Sequence, residues 1–346
     1  MAKFYLFIGL LTGIFLDSHA QQMIVTQSPN RAITLIIRNT GSGEITYQVR
    51  YKNKPVIEPS RLGFVLNKPP LELTRFSIVS ADSSQKDETW SPVWGEVSQI
   101  RNHYREVAVN LQDKSSSQIA LRVRFRLFDD GIGFRYEFPK QTALNHFIVA
   151  DERTEFRLAA NHQTLWMPGD YDSNEYLYNT TKLTEVDAVV AADREKDTAL
   201  KSIIGPNAVQ TPLLFKTADG LYISLYEAAL LNYPVMHLQL DKKSLTLTSQ
   251  LVPDAVGNKA YLQTPAQTPW RTLIISDKAT DLLASKLILN LNEPSTISDP
   301  SWIKPQKFVG MWWEMHVGKA TWEKAGGKHG ANTQYVKKYI DFAAKY

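Results

Sequence analysis

At 346 residues with no cysteine, the chain excludes a disulfide-stapled scaffold and must draw its stability from buried area, which this length supplies. Its 39 basic and 35 acidic residues leave a formal net charge of +4 and are interspersed throughout, so no basic block or stripe points to nucleic acid. Eight Trp and fifteen Tyr either stack on sugar rings or fill a large β core and its rims.

Residues 1–20 read as an address. Lys3 supplies a positive n-region, Phe4 to Leu16 an apolar h-region, and Ser18-His19-Ala20 a small-x-small cleavage site. That run is short for a bilayer, and no other stretch is apolar for long enough to cross one. A mature chain from about Gln21, periplasmic or secreted and without a stable membrane span, is the expectation.

From Gln21 to about residue 290 the pattern is β. Leu121, Val123, Phe125 and Leu127 alternate with Arg122, Arg124 and Arg126, predicting a half-buried strand with a basic outer face. Asp129-Asp130-Gly131 turns the chain, and Phe134, Tyr136 and Phe138 continue a hairpin closed by Pro139. Similar runs recur at 33–37, 221–225, 236–240, 245–247 and 272–275. Many strands with few helices predict a large antiparallel sandwich. One short helix is expected over 277–287, and a long surface loop over 185–207, charged at Asp193-Arg194-Glu195-Lys196-Asp197. The domain reading is a signal peptide at 1–20, a sandwich at 21–294, a linker at 295–306 packed through Trp302, and a further element at 307–346.

That last element has its own pattern. Phe308-Val309-Gly310-Met311-Trp312-Trp313-Glu314 reads as a parallel strand buried on both faces. Asn332 is a candidate N-cap before Tyr335, Val336, Tyr339, Ile340, Ala343 and Ala344, which recur at helical spacing. One strand and one helix cannot complete a parallel sheet, so an unfinished barrel is the expectation. At the C-terminal end of such a strand, Glu314 is either catalytic or a rim ion-pair partner. Trp312 or Trp313 either stacks on a sugar or packs against the sandwich.

The densest polar cluster is Trp166 to Tyr176. Asp170, Asp172 and Asn174 imitate an EF-hand start, but Glu175 stands where Gly is needed and Thr181 where a bidentate Glu belongs. These carboxylates either cap a turn or let Glu175 lend one oxygen to a site assembled elsewhere. No HExxH, GxSxG, P-loop or dinucleotide fingerprint is present, so acyl transfer and nucleotide chemistry have no support. Asn179-Thr180-Thr181 fits a glycosylation acceptor.

Several stretches together resemble the N-terminal half of glycoside hydrolase family 97. They are Trp90 to Tyr104, Phe128 to Pro139, Pro168 to Tyr176, Thr268 to Thr272, Leu289 to Pro294 and Gly310 to Met315. The likeness is nearest to the α-glucosidases of Bacteroidetes starch-utilisation systems. It implies a galactose-mutarotase-like β-super-sandwich followed by the first β/α unit of a (β/α)8 catalytic barrel. It further implies a calcium ion bound in part by Glu175, a sugar-bordering Trp312, and a loop at Arg194, Glu195 and Lys196 reaching towards substrate. The catalytic carboxylates implied by the family belong to barrel strands beyond Tyr346, so none is assigned to this chain. The expected function is the N-terminal part of an exported calcium-dependent α-glucosidase, inverting and acting on malto-oligosaccharides, with this chain alone inactive. The alternatives are a non-catalytic carbohydrate-binding module and a retaining α-galactosidase of the same family.

Overall fold

The computed structural model describes residues 22–115, 119–195 and 202–346, in two compact units divided between Glu293 and Pro294. The signal-peptide reading and Lys196 lie outside the described residues. Among the described residues, no helix is long and apolar enough to cross a membrane.

In the first unit, alternation of apolar and polar residues produces strands, and every one pairs antiparallel. An eight-stranded sheet starts with the meander Met23–Gln27, Ile33–Asn39, Ile45–Tyr51 and Lys54–Arg61. It continues through Glu155–Leu158, Thr246–Leu251, Met236–Asp241 and Ala208–Val209. A ten-stranded sheet runs from Asn179–Lys182 and Gln163–Trp166 through Leu213–Lys216, Tyr222–Ala228 and Trp270–Ser276. It then passes through Gly131–Phe138, Ala120–Phe128 and Ile100–Asp113 to the edge strand Phe76–Trp90, and the tenth strand, Ala266–Gln267, pairs with Gly131–Phe138 off this path. A four-stranded sheet holds Ala260–Gln263, His146–Glu152, Phe64–Lys68 and Leu71–Leu73.

The sheets stack because their inner faces are apolar. Tyr47 of the eight-stranded sheet packs on Phe134 and Phe125 of the ten-stranded one, at ring separations of 4.9 and 6.1 Å. Phe64 of the small sheet meets Tyr136 at 4.6 Å, edge to face. The expected hairpin forms: Leu121, Val123, Phe125 and Leu127 are buried, as are Phe134, Tyr136 and Phe138. Its basic face is neutralised across the strands rather than left bare. Arg124 reaches Glu137 at 2.7 Å and also Glu106, Arg126 reaches Glu106 at 2.8 Å, and Arg135 reaches Glu137 at 3.1 Å.

Inside the core sits a buried charge cluster. Arg271 makes a two-pronged contact with Glu152, at 3.0 and 2.7 Å, and a 2.7 Å bond to Glu227. Tyr233 Oη and Thr154 Oγ1 also donate to the oxygens of Glu152, and the Met236 amide donates to Glu227. Burying these charges is tolerable only because each is paired and hydrogen-bonded.

The 277–287 region holds a helix at Ala279–Ala284 and a second turn at Leu287–Asn290. Leu287 and Leu291 press onto Gly131 and Gly133. A Cβ at Gly131 would stand 2.4 Å from the Leu273 carbonyl oxygen, so only glycine permits this approach.

Two expectations are corrected. The 185–207 stretch is not all loop: Asp187 caps a helix at Ala188–Arg194 by accepting from the Val190 amide at 3.1 Å. That helix buries Ala188, Ala191 and Ala192, small residues that suit a close contact. In the second unit, 308–311 are irregular and Trp312–His316 is a helical turn, so the expected strand does not form. Without a neighbouring strand its backbone groups have no ladder, and a helix pairs them within the segment. The expected helix is present as Thr333–Lys345, with the Asn332 side chain accepting from the Tyr335 amide at 3.0 Å. The Tyr335 hydroxyl donates to Glu314 at 2.5 Å, and this bond holds the Glu314 carboxyl below its ordinary range.

Candidate functional site

Gly169-Asp170-x-Asp172-Ser173 is a turn-forming sequence, since short acidic side chains bond amides two residues on. Asp170 Oδ1 accepts from the Asp172 and Ser173 amides at 2.8 and 3.0 Å. Its Oδ2 accepts from Tyr176 Oη at 2.7 Å and from the Ser202 amide at 2.8 Å. Burial pushes this carboxyl up, but the four hydrogen bonds outweigh it and hold the group below the usual Asp range. Burial and the bond to Asp170 push the Tyr176 hydroxyl up. Asp170 is thus saturated as a structural group and has nothing left for a metal.

Ser202 opens the described stretch that follows Glu195 in the sequence. Its hydroxyl bonds Asp172, its carbonyl accepts from the Tyr171 amide at 3.1 Å, and Ile203 bridges Asp170. Gln210 adds a 2.7 Å bond to the Ser173 carbonyl. Two stretches that lie apart in the sequence, 170–176 and 202–203, are therefore joined on one carboxylate. Beside them lies His237, whose ring stands edge-on to Tyr171 at 6.1 Å. Its Nδ1 is buried without a hydrogen-bond partner, and burial pushes the imidazole down to about 4. Nothing in the spacing of His237 in the sequence announced this placement.

On that scaffold Glu175 is exposed. Its amide leans on Ser173 Oγ at 3.3 Å, and its carboxylate makes no hydrogen bond among the described residues. Leu177 and Tyr178 follow it, also exposed. Arg194 ends its helix, and the Glu195 amide closes the last turn on the Ala192 carbonyl at 3.1 Å. In the second unit Trp312 is 61% exposed, its ring 5.7 Å from His316 and 6.1 Å from Trp322. Among the described residues no group of three or more His, Cys, Asp or Glu could hold a metal ion. With Asp170 consumed by four hydrogen bonds and Asp172 bonded through one oxygen to the Ser202 hydroxyl, the cluster offers Glu175 as an unengaged carboxylate and does not make a complete metal centre among the described residues.

The glycosyl-hydrolase 97 N-terminal family model matches residues 26–294. A solved glycoside hydrolase family 97 enzyme from Pseudoalteromonas sp. strain K8, in complex with acarbose, is 37% identical with a TM-score of 0.79. The match covers 93% of this chain and 46% of that one. A variant of an enzyme from the same organism is solved with panose, at the same identity and coverage. A retaining α-galactosidase of Bacteroides thetaiotaomicron is 23% identical over 371 residues, 98% of this chain and 51% of its own length. A β-arabinopyranosidase structure at 18% identity and TM-score 0.66, covering 93% of this chain and 49% of its own, shares the fold. The chain spans about half the length of these relatives.

Proposed function

The chain belongs to glycoside hydrolase family 97, and on that premise we propose that it serves as the N-terminal part of an exported, calcium-dependent α-glucosidase. The substrate is a malto-oligosaccharide, cleaved by inverting acid/base hydrolysis in which one carboxyl protonates the leaving oxygen and another activates water on the opposite face. The observation that carries the reading is the 37% identity, over 93% of this chain, to an enzyme solved with acarbose and with panose, both oligosaccharides. The unengaged, exposed Glu175 carboxylate supports a contribution of one calcium ligand from the sandwich. Calcium, a hard cation taking six to eight oxygens, would find its other ligands outside this turn and would orient substrate and water. Trp312 would border the sugar, and Arg194, Glu195 and Lys196 would reach towards it.

A second reading, a retaining α-galactosidase, is favoured by the name of the Bacteroides thetaiotaomicron relative. The test is hydrolysis of aryl α-glucoside and aryl α-galactoside by the protein as its gene encodes it, with and without chelator. Preferred α-glucoside cleavage, lost with EDTA and restored by calcium, is the expected result. Glu175→Gln should raise the calcium concentration for half-maximal rate by at least about tenfold. Preferred α-galactoside cleavage, or indifference to chelator, would overturn the proposal.

A further inference from the structure

Residues 259–263 and 265–267 border a groove of about 850 Å³ on the first unit, far larger than one water and within the range of ligand sites. Two tyrosines line it, and both have their hydroxyls engaged by the protein. Tyr261 Oη donates to Asp254 at 2.6 Å and accepts from Asn258 Nδ2 at 2.8 Å, yet the residue is 60% exposed. Tyr233 Oη donates into the core to Glu152 at 2.9 Å. Each ring is thereby fixed at one end while its apolar surface lines the groove.

The charges around the groove are already committed. Asp254 also accepts from the Val256 and Asn258 amides at 3.0 and 2.8 Å. Lys259 Nζ donates to the Leu251 carbonyl at 2.8 Å. What is left without a side-chain hydrogen bond among the described residues is a set of neutral amides, on Asn232, Gln263 and Gln267. A carboxamide donates and accepts at once, which suits a hydroxyl that does the same and gives no advantage to an anion. The groove is also extended. Gln263 and Tyr261 border a neighbouring hollow of about 450 Å³, and Gln267 another of about 480 Å³.

We propose that this groove is a binding site for a neutral oligosaccharide, with a pyranose ring stacked on Tyr261 and sugar hydroxyls paired to Gln263, Gln267 and Asn232. Aromatic rings with an immobilised hydroxyl offer large contact area at low entropic cost. The groove adjoins the Asp170 turn, since Lys259 of its lining stands 5.7 Å over the Tyr171 ring, and the proposal does not rest on the α-glucosidase reading, because its ligand is held without being cleaved.

The test is calorimetric titration of the purified 346-residue chain with maltoheptaose, with stachyose, and with a neutral peptide of similar length. Saturable binding of either sugar is expected, weakened about tenfold or more by Tyr261→Ala and by less with Tyr261→Phe, which keeps the stacking face but frees the ring from Asp254 and Asn258. Gln263→Leu combined with Gln267→Leu should weaken binding several-fold on its own, and this double variant decides the question if thermal melting shows Tyr261→Ala to be misfolded. No saturable binding of either sugar, tighter binding of the peptide, or sugar affinity unmoved by the variants would overturn the proposal.

Discussion

Residues 22–293 bury Trp270, Arg271 and stacked phenylalanines, whereas residues 294–346 leave Trp302, Phe308, Trp312 and Trp313 largely in solvent. Both regions are rich in large apolar side chains, so composition does not separate them. In the first, each apolar strand finds an antiparallel neighbour and an opposing sheet, so backbone pairing and side-chain burial are satisfied together. In the second, the helices Trp312–His316 and Thr333–Lys345 bury no residue of their own, and local bonds such as Tyr335 to Glu314 organise the segment. Stability should therefore respond steeply to changes in the first unit and weakly to changes in the second.

The largest effect expected is at the buried charge cluster. Arg271→Met strands Glu152 and Glu227 in a dry interior and should cost about 3–5 kcal/mol, read as a fall in the urea midpoint of the first unit. A loss under about 1 kcal/mol would show that water or neighbouring groups compensate the two carboxylates. Acid should widen the contrast between the units. His237 takes a proton near its ordinary 6.5 when unfolded but only near about 4 when folded. Between those values the unfolded state binds more protons, so stability should fall as pH is lowered through that window, by at most about 1.4 kcal/mol per pH unit. His237→Gln should flatten the profile there. The hydrogen-bonded Asp170 acts in the same direction, but only as pH falls through and below its ordinary 3.8.

Smaller effects belong to the second unit. Asn332→Ala removes the cap of the Thr333–Lys345 helix and should cost that helix about 1 kcal/mol, measured by amide hydrogen exchange across 333–345. Trp313→Ser, at a side chain 72% exposed, should shift the melting of either unit by no more than about 0.5 kcal/mol. A larger shift from Trp313→Ser than from Asn332→Ala would invert the comparison.

The sandwich was legible because a half-buried antiparallel strand writes its environment into every second residue. Ala120–Phe128 is the clearest case, whereas its hairpin partner Gly131–Phe138 is buried at nearly every residue, its alternating Arg135 included, and was legible from its turn and its apolar residues. The Thr333–Lys345 helix was legible from its cap and spacing for a similar local reason. The Phe308–Glu314 segment misled because an apolar run states that a strand is possible, while pairing depends on another piece of chain. The Ala188–Arg194 helix was hidden by its charged end, although its small buried face fits a close contact.

For the candidate site, the carboxylate cluster at 170–175 was visible as residues, and the division of labour among them was not. Strand periodicity, turns, caps and family membership follow from the amino-acid order alone, since these rest on neighbours a few residues apart or on long collinear motifs. Folding in three dimensions was needed to settle that Asp170 is consumed by Ser202 and Tyr176 while Glu175 stands exposed, and that Arg271 finds Glu152 and Glu227. Those outcomes depend on which distant segments meet, and hydrogen-bond saturation and desolvation are properties of that meeting rather than of any one stretch of chain.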